Sequence, residues 1–143
     1  MIRLRAATID DRTALIALLA EADMDYVDPP EDYILAVDGE TIAGCGRLED
    51  HGHIAMLRPL VVAKPYRRHS VGRRILESII PADKTTGLVA RCEAVAFYEA
   101  MGFSRSDWDI IPPSQRAECE ACSSRAECKP QPMIHIPALK KMK

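Results

Sequence analysis

Aromatic side chains are scarce in this chain: four Tyr, two Phe and one Trp make up 5% of its 143 residues. Basic charge is not in excess either, since the net charge is −2. A general nucleic-acid binder spreads Lys and Arg along one element with aromatics between them, so the composition argues against that class. No apolar run approaches the roughly 18 residues of a transmembrane helix. The opening MIRLRAATIDD turns acidic too early for a signal peptide. These absences lead us to expect a cytoplasmic protein with neither a membrane nor a nucleic-acid partner.

What is present suits one globular unit. Hydrophobic residues make up 48% and charged residues 28%, ordinary values for a soluble domain. At this length a second domain would be too small to bury a core, so residues 1–143 are expected to form a single domain. The small net charge hides an asymmetry. Residues 1–50 carry four basic and twelve acidic side chains, the remainder fifteen basic and nine acidic. That distribution suits one local anion site and an acidic face able to attract a cationic acceptor.

The anion site is expected within Leu57–Ile80, which reads as three pieces. Leu60-Val61-Val62 is a short β-prone run, and Lys64–Ser70 is a turn carrying Lys64, Arg67, Arg68 and His69. From Val71 the apolar residues Val71, Ile75, Leu76, Ile79 and Ile80 recur at helical spacing up to Pro81. Between Leu57 and Arg74 there are six Lys or Arg and no acid. Strand, basic turn and helix together aim backbone N–H groups and the positive end of a helix dipole at an anion. Ser70 and Gly72 are small enough for a phosphate to approach the main chain.

Elsewhere the pattern alternates strands and helices. Arg3–Ala7 reads as a first strand, Thr8–Asp11 as a helix cap, and Ala14, Leu15, Leu18, Leu19 and Ala22 as the stripe of an amphipathic helix. Ala22–Asp32 is an acidic, Pro-containing loop; Asp23, Asp25, Asp28 and Glu31 either hold a cation or form a solvated face. Tyr33–Val37 and Thr41–Leu48 join at Asp38-Gly39 as a hairpin, and His53–Val62 continues the meander. Cys45 is expected as a small buried hydrophobe. Gly87–Cys92 is a strand, Ala94–Met101 a helix closed by Gly102, Phe103 the start of another strand, and Met133–Leu139 the last one.

Tyr66-Arg67-Arg68-His69-Ser70-Val71-Gly72-Arg73 resembles motif A of the GNAT acetyltransferase superfamily, Gln/Arg-x-x-Gly-x-Gly/Ala, with Ser70 in place of the first glycine. Ala94 to Phe103 resembles its motif B, Ala-x-x-x-Tyr-x-x-x-Gly-Phe. The resemblance implies an α/β (α+β) fold: a mixed, mostly antiparallel sheet flanked by helices and splayed to admit coenzyme A. It also implies a pyrophosphate loop made by Arg67, Arg68, His69, Ser70, Val71, Gly72 and Arg73. Val61 and Val62 would then lie on the strand that bonds the pantetheine arm. If the Ser70 position takes a positive φ, serine is strained there.

Residues 112–132 form a Cys-rich insert between the last two expected strands, with Cys119, Cys122 and Cys128 in the pattern Cys-x-x-Cys-x5-Cys. They are read as a connection without regular structure. The three thiols could hold a thiophilic metal, zinc first, with His135, Cys92 or water as a fourth ligand. A disulfide plus one thiol, or three unliganded thiols, are the alternatives. Pro112, the cysteines and Met133 together resemble the tail of short, single-domain amino-acid N-acetyltransferases of the N-acetylglutamate synthase type. Where that tail carries a basic residue, this chain reads Pro113-Ser114-Gln115.

Acetyl transfer from a thioester to an amine needs a polarised carbonyl, a neutral amine and a proton for the leaving thiolate. Strand N–H groups near Val61 and Val62 can supply the first. By its match to motif B, Tyr98 is the candidate acid, the alternative being a core tyrosine. Met56 stands where the superfamily often has its Glu base, leaving His53, with His51, Asp50 and Glu49 nearby, as the candidate. The expected activity is therefore acetyl-CoA-dependent N-acetylation of a small-molecule amine, amino acids included, with a homodimer left open. Two rivals remain: a catalytically silent acyl-CoA-binding or sensing domain, and an interaction module held by a metal in the insert.

Overall fold

The computed structural model describes residues 1–122 and 125–137. Among them lie strands β1 (Ile2–Ala6), β2 (Tyr33–Asp38), β3 (Thr41–Asp50), β4 (Ala55–Val62), β5 (Thr86–Ala90), β6 (Ser104–Arg105) and β7 (Gln131–His135). The helices are α1 (Arg12–Glu21), α2 (Val71–Ile79), α3 (Val95–Ala100), α4 (Pro113–Ala121) and α5 (Arg125–Cys128). The strands order as β1-β2-β3-β4-β5-β7-β6 in a mixed sheet, in which β4 and β5 run parallel while β1–β2, β2–β3, β5–β7 and β6–β7 are antiparallel. This is the expected α/β architecture. By contact the chain divides into two compact units, one of residues 1–49 and 57–80, the other of residues 50–56 and 81 onward.

In the first unit the strand pleat sends successive β2 side chains to opposite faces. Leu35 and Val37 join Leu15, Leu18 and Leu19 of α1, while Ala36 meets Val71 and Ile75 of α2. The β2–β3 hairpin turns at Gly39, whose φ of 60° suits the expected two-residue turn. Its ladder runs from Tyr33↔Arg47 to Asp38↔Thr41 and skips Ala43, a local bulge. Helix α2 lies very close to β3. A Cβ on Gly44 would stand 2.7 Å from the Val61 carbonyl oxygen and 3.1 Å from Ile75 Cδ1; one on Gly46 would stand 2.7 Å from Ile75 Cγ2. These glycines are required by packing, which their mid-strand place alone did not show.

The second unit pairs β5 with β7 from Thr86↔His135 to Ala90↔Gln131, and sets Ala55 and Met56 parallel to Thr86 and Gly87. Ile54, Met56 and Ile111 form one cluster of its core, backed by Val89, Trp108 and Ile110. Gly102, with φ 96°, follows α3 as the expected terminator.

Three expectations change. The strand foreseen from His53 begins at Ala55, because His51 N–H bonds the Ile54 carbonyl at 2.9 Å and closes a turn first. The insert is not structureless: it holds α4 and α5. Pro113 at the first helical position is pre-set for a helix, and the Arg116 guanidinium ties α4 down by donating to the Trp108 carbonyl at 2.8 Å. The last strand spans Gln131–His135, and Ala138 and Leu139 of its expected extent lie outside the described residues. Among the described residues no helix is long and apolar enough to cross a membrane.

The entry to α1 is fixed by charge. Arg5 donates to both Asp11 oxygens, at 2.8 and 3.0 Å, while the Thr8 amide donates to Asp11 Oδ2 at 2.8 Å. The Arg5 hydrogen bond, helped by the Thr8 amide, holds the Asp11 carboxyl down to about 2. A carboxyl depressed in the folded state stabilises above its unfolded value of about 3.9, and that contribution is lost as pH falls through 2. Asp11→Asn should therefore cost about 1–2 kcal/mol of urea-measured stability at pH 7. The difference from the parent should close as pH approaches 2.

Candidate cofactor site

At the end of β4, Ala63 N–H reaches across to the Ala43 carbonyl at 2.8 Å, so the strand leaves the sheet at a defined point. A short 3-10 turn, Lys64–Tyr66, follows, and then the basic turn Arg67–Ser70. Two residues of this turn sit in the left-handed region, Arg68 at φ 68° and Ser70 at φ 63°. Ser70 is the N-cap of α2, and its side chain makes no capping hydrogen bond. The strain expected of a serine here is thus present, on the order of 1 kcal/mol.

The first intrahelical bond of α2 is Arg74 N–H to the Ser70 carbonyl, at 3.0 Å. Val71, Gly72 and Arg73 therefore carry the N–H groups that a helix start leaves without an intrahelical acceptor. Arg67, Arg68, His69 and Ser70 are exposed, Val71 is buried and Gly72 is half-buried. Arg67 Nε donates to the Val62 carbonyl at 3.3 Å, and Arg73 meets Glu77 one turn on at 3.3 Å. That last pair is solvent-exposed and worth little. Val61 faces the α1 cluster and Val62 the α2 cluster, so the strand end is gripped from both sides. A shallow surface cleft beside it is lined by Leu18, Glu21, Val61, Val62, Lys64 and Arg67. Backbone donors at a helix start, with cations around them, can hold a phosphate or diphosphate.

Of the other candidates, Tyr98, His53 and Met56 belong to the second unit and Cys45 to the first. Tyr98 is buried, with edge-to-face contacts to Phe97 and Phe103 at 5.1 and 5.6 Å between ring centroids. Burial pushes its phenol well above the ordinary value, so it stays protonated through the neutral range. His53 is exposed, in the turn before β4. Of its neighbours, Glu49 pairs with Arg47 at 2.9 Å. The bond from Lys84 and the Gly52 amide hold Asp50 below the usual carboxylate range, which makes it a poor base. Met56 is fully buried in the core. Cys45 is likewise buried, its thiol pushed up to about 12.

The zinc centre expected at Cys119, Cys122 and Cys128 is not supported. Among the described residues no three His, Cys, Asp or Glu side chains gather as a metal requires. Cys119 lies on the last turn of α4, Cys122 is exposed just past its end, and Cys128 closes α5. A ligand knuckle needs its sulfurs to converge on one centre. The acidic loop gathers no such group either; instead Asp28 pairs with Arg12 at 3.1 Å. The hydrogen bonds made on either flank of the basic turn by Tyr66 and Arg74 were not legible in the sequence, because their partners are distant in the chain.

A mixed sheet whose fourth strand runs into a basic turn and a helix defines the class of protein. The acetyltransferase (GNAT) domain family matches residues 29–105, more than half of the chain, and the chain belongs to that family. The uncharacterized protein YyaT of Bacillus subtilis (strain 168) is 26% identical over 102 residues, 65% of this chain and 69% of that protein. Among solved structures, N-acetylglutamate synthase from Neisseria gonorrhoeae, complexed with coenzyme A and N-acetyl-glutamate, matches with a TM-score of 0.76 at 13% identity. The match covers 94% of this chain but 35% of the synthase, so this chain spans about a third of that protein. Rv2747 from Mycobacterium tuberculosis, in complex with CoA, matches at a TM-score of 0.73 and 13% identity, over 94% and 98% of the two chains. The ribosomal-protein-S18-alanine N-acetyltransferase from Escherichia coli gives 0.66 at 18% identity, over 94% and 91%. At such identities the likeness is one of fold.

Ser70→Gly should remove the left-handed strain and raise urea-measured stability by about 0.5–1 kcal/mol. Ser70→Val, β-branched at positive φ, should lower it by about 1 kcal/mol or more. Equal stabilities for the three proteins would show that the turn is not strained.

Proposed function

We propose that this chain, as a single acetyltransferase domain, transfers an acetyl group from acetyl-CoA to the amine of a small molecule, with amino acids the first acceptor class to test. The observation that carries the reading is the basic turn, where the N–H groups of Val71, Gly72 and Arg73 open α2 among Arg67, Arg68 and His69. Family membership supports it. So does the likeness to the gonococcal synthase, a structure that holds coenzyme A and N-acetyl-glutamate. In this reading residues 67–73 take the diphosphate and the Val61–Val62 main chain takes the pantetheine arm.

The chemistry then runs in a fixed order. The amine nitrogen attacks the thioester carbonyl carbon, and the oxygen that gains charge is held by strand N–H groups. The C–S bond breaks, the nitrogen loses a proton to a base, and the thiolate gains one. We assign the acid to Tyr98, whose burial keeps it protonated. His53 is the base, with solvent to relay, since the neighbouring carboxylates Glu49 and Asp50 are held by Arg47 and Lys84. The cytoplasm, where acetyl-CoA is abundant, is the compartment this chemistry fits.

Purified protein incubated with acetyl-CoA and a panel of amino acids should release free thiol with at least one of them. Tyr98→Phe should lower kcat for that acceptor by about 10²-fold with the KM for acetyl-CoA little changed. Coenzyme A binding without turnover across the panel would select the silent acyl-CoA-binding rival. Failure to bind coenzyme A in calorimetry would end the reading.

A further inference from the structure

Residues on both flanks of the basic turn are tied to one rung of the sheet. In the β1–β2 ladder, Ile2 and Asp38 are direct cross-strand partners. Upstream of the turn, the Tyr66 hydroxyl donates to Asp38 Oδ2 at 2.9 Å. Downstream, the Arg74 guanidinium donates to the Ile2 carbonyl at 2.9 Å. Tyr66 and Arg74 are eight positions apart in sequence, and between them lie both left-handed residues, Arg68 and Ser70. Neither of these is a glycine, so the turn left to itself would relax toward ordinary backbone conformations. A turn that is strained inside and pinned at both ends is held in shape by its pins.

We propose that Tyr66 and Arg74, anchored on the Ile2–Asp38 rung, are positioning residues that hold the Arg67–Ser70 turn in the conformation that binds the coenzyme A diphosphate. The inference rests on the cofactor reading given above. Neither anchor has to touch the ligand. The Tyr66 ring packs against the Ala36, Ala43, Val71 and Ile75 cluster, so its hydroxyl is brought to Asp38 by packing that a phenylalanine would keep. Tyr66→Phe also leaves net charge unchanged, which separates bracing from the general attraction of a cationic turn for an anion.

Coenzyme A affinity, measured by calorimetry on the full chain, tests the proposal. Tyr66→Phe should weaken binding about tenfold, as loss of a hydrogen bond to a carboxylate does when it shifts the competent population. At Asp38 two neutral replacements are compared. Asp38→Asn keeps an oxygen that can accept from Tyr66 and should bind several-fold more tightly than Asp38→Ala, which has none. A merely structural role for Asp38 would lower the thermal midpoint of both without separating their affinities. Parental affinity in Tyr66→Phe, or equal affinities for the two Asp38 variants, would overturn the proposal while leaving the cofactor reading intact. Absence of coenzyme A binding by the parent chain would overturn that reading, and the proposal with it.

Discussion

Helix α2 rests on β3 where Gly44 and Gly46 present no side chain, and the position of its N-terminus follows from that contact. Ile75 fills the space over both glycines, and Val71 lies against the first of them. Protein interiors leave little slack, so a methyl at either glycine would lift the helix or bend the strand. Because Gly44 also faces the Val61 carbonyl oxygen, the same contact sets where β4 ends relative to where α2 begins. The N–H groups of Val71, Gly72 and Arg73 ride on this arrangement. Their direction is a consequence of packing one turn further along the helix.

The strain in the turn has to be weighed against that packing. Left-handed backbone at Arg68 and Ser70 costs on the order of 1–2 kcal/mol each. Burial of Val71, Ile75 and Leu76 contributes roughly 1.5–3 kcal/mol apiece. The helix therefore outweighs the strain it imposes on its own entry, and a serine can stand where a glycine would be relaxed. Ser70 is exposed, so its side chain meets solvent.

Much of this was legible because local pattern and tertiary role agree. The stripes Leu15, Leu18, Leu19 and Val71, Ile75, Leu76 are the buried faces of α1 and α2, and the hairpin expected at Asp38-Gly39 forms with its two-residue turn at Gly39-Glu40. What escaped reading is non-local or lacks an apolar stripe. Helix α4 buries only Gln115, so its periodicity is silent, and its two leading prolines resemble a loop. The left-handed φ of Arg68 has no compositional mark. Tyr66 and Asp38 are joined across 28 positions of sequence, and no spacing rule reaches that far. The cysteines misled because a spacing does not by itself fix the elements that carry it: Cys119 lies in α4, Cys122 follows it in extended backbone, and Cys128 ends α5.

The acidic loop before β2 combines a charge pattern with a tertiary contact. From sequence, residues 22–32 read as either a cation site or a solvated face; Asp23, Asp25, Asp28, Glu31 and Asp32 are exposed, while the loop is threaded by a cation–aromatic stack. Tyr26 lies on the buried Tyr33 ring at 5.6 Å and 9°, with the Arg12 guanidinium 5.3 Å from the Tyr26 ring centroid and the Arg47 guanidinium 5.9 Å from that of Tyr33. Arg12 also takes Asp28, and the Val27 amide donates to the Tyr33 hydroxyl at 3.1 Å. Such contacts strengthen as water is excluded, and the inner pair is the better sheltered, since Tyr33 is fully buried and Arg47 nearly so. Ordering this loop costs backbone entropy that its own carboxylates cannot recover, because they repel one another. Two arginines and two tyrosines supply what the carboxylates cannot. The five carboxylates of this loop are thereby held on an ordered surface, where their field has a definite direction.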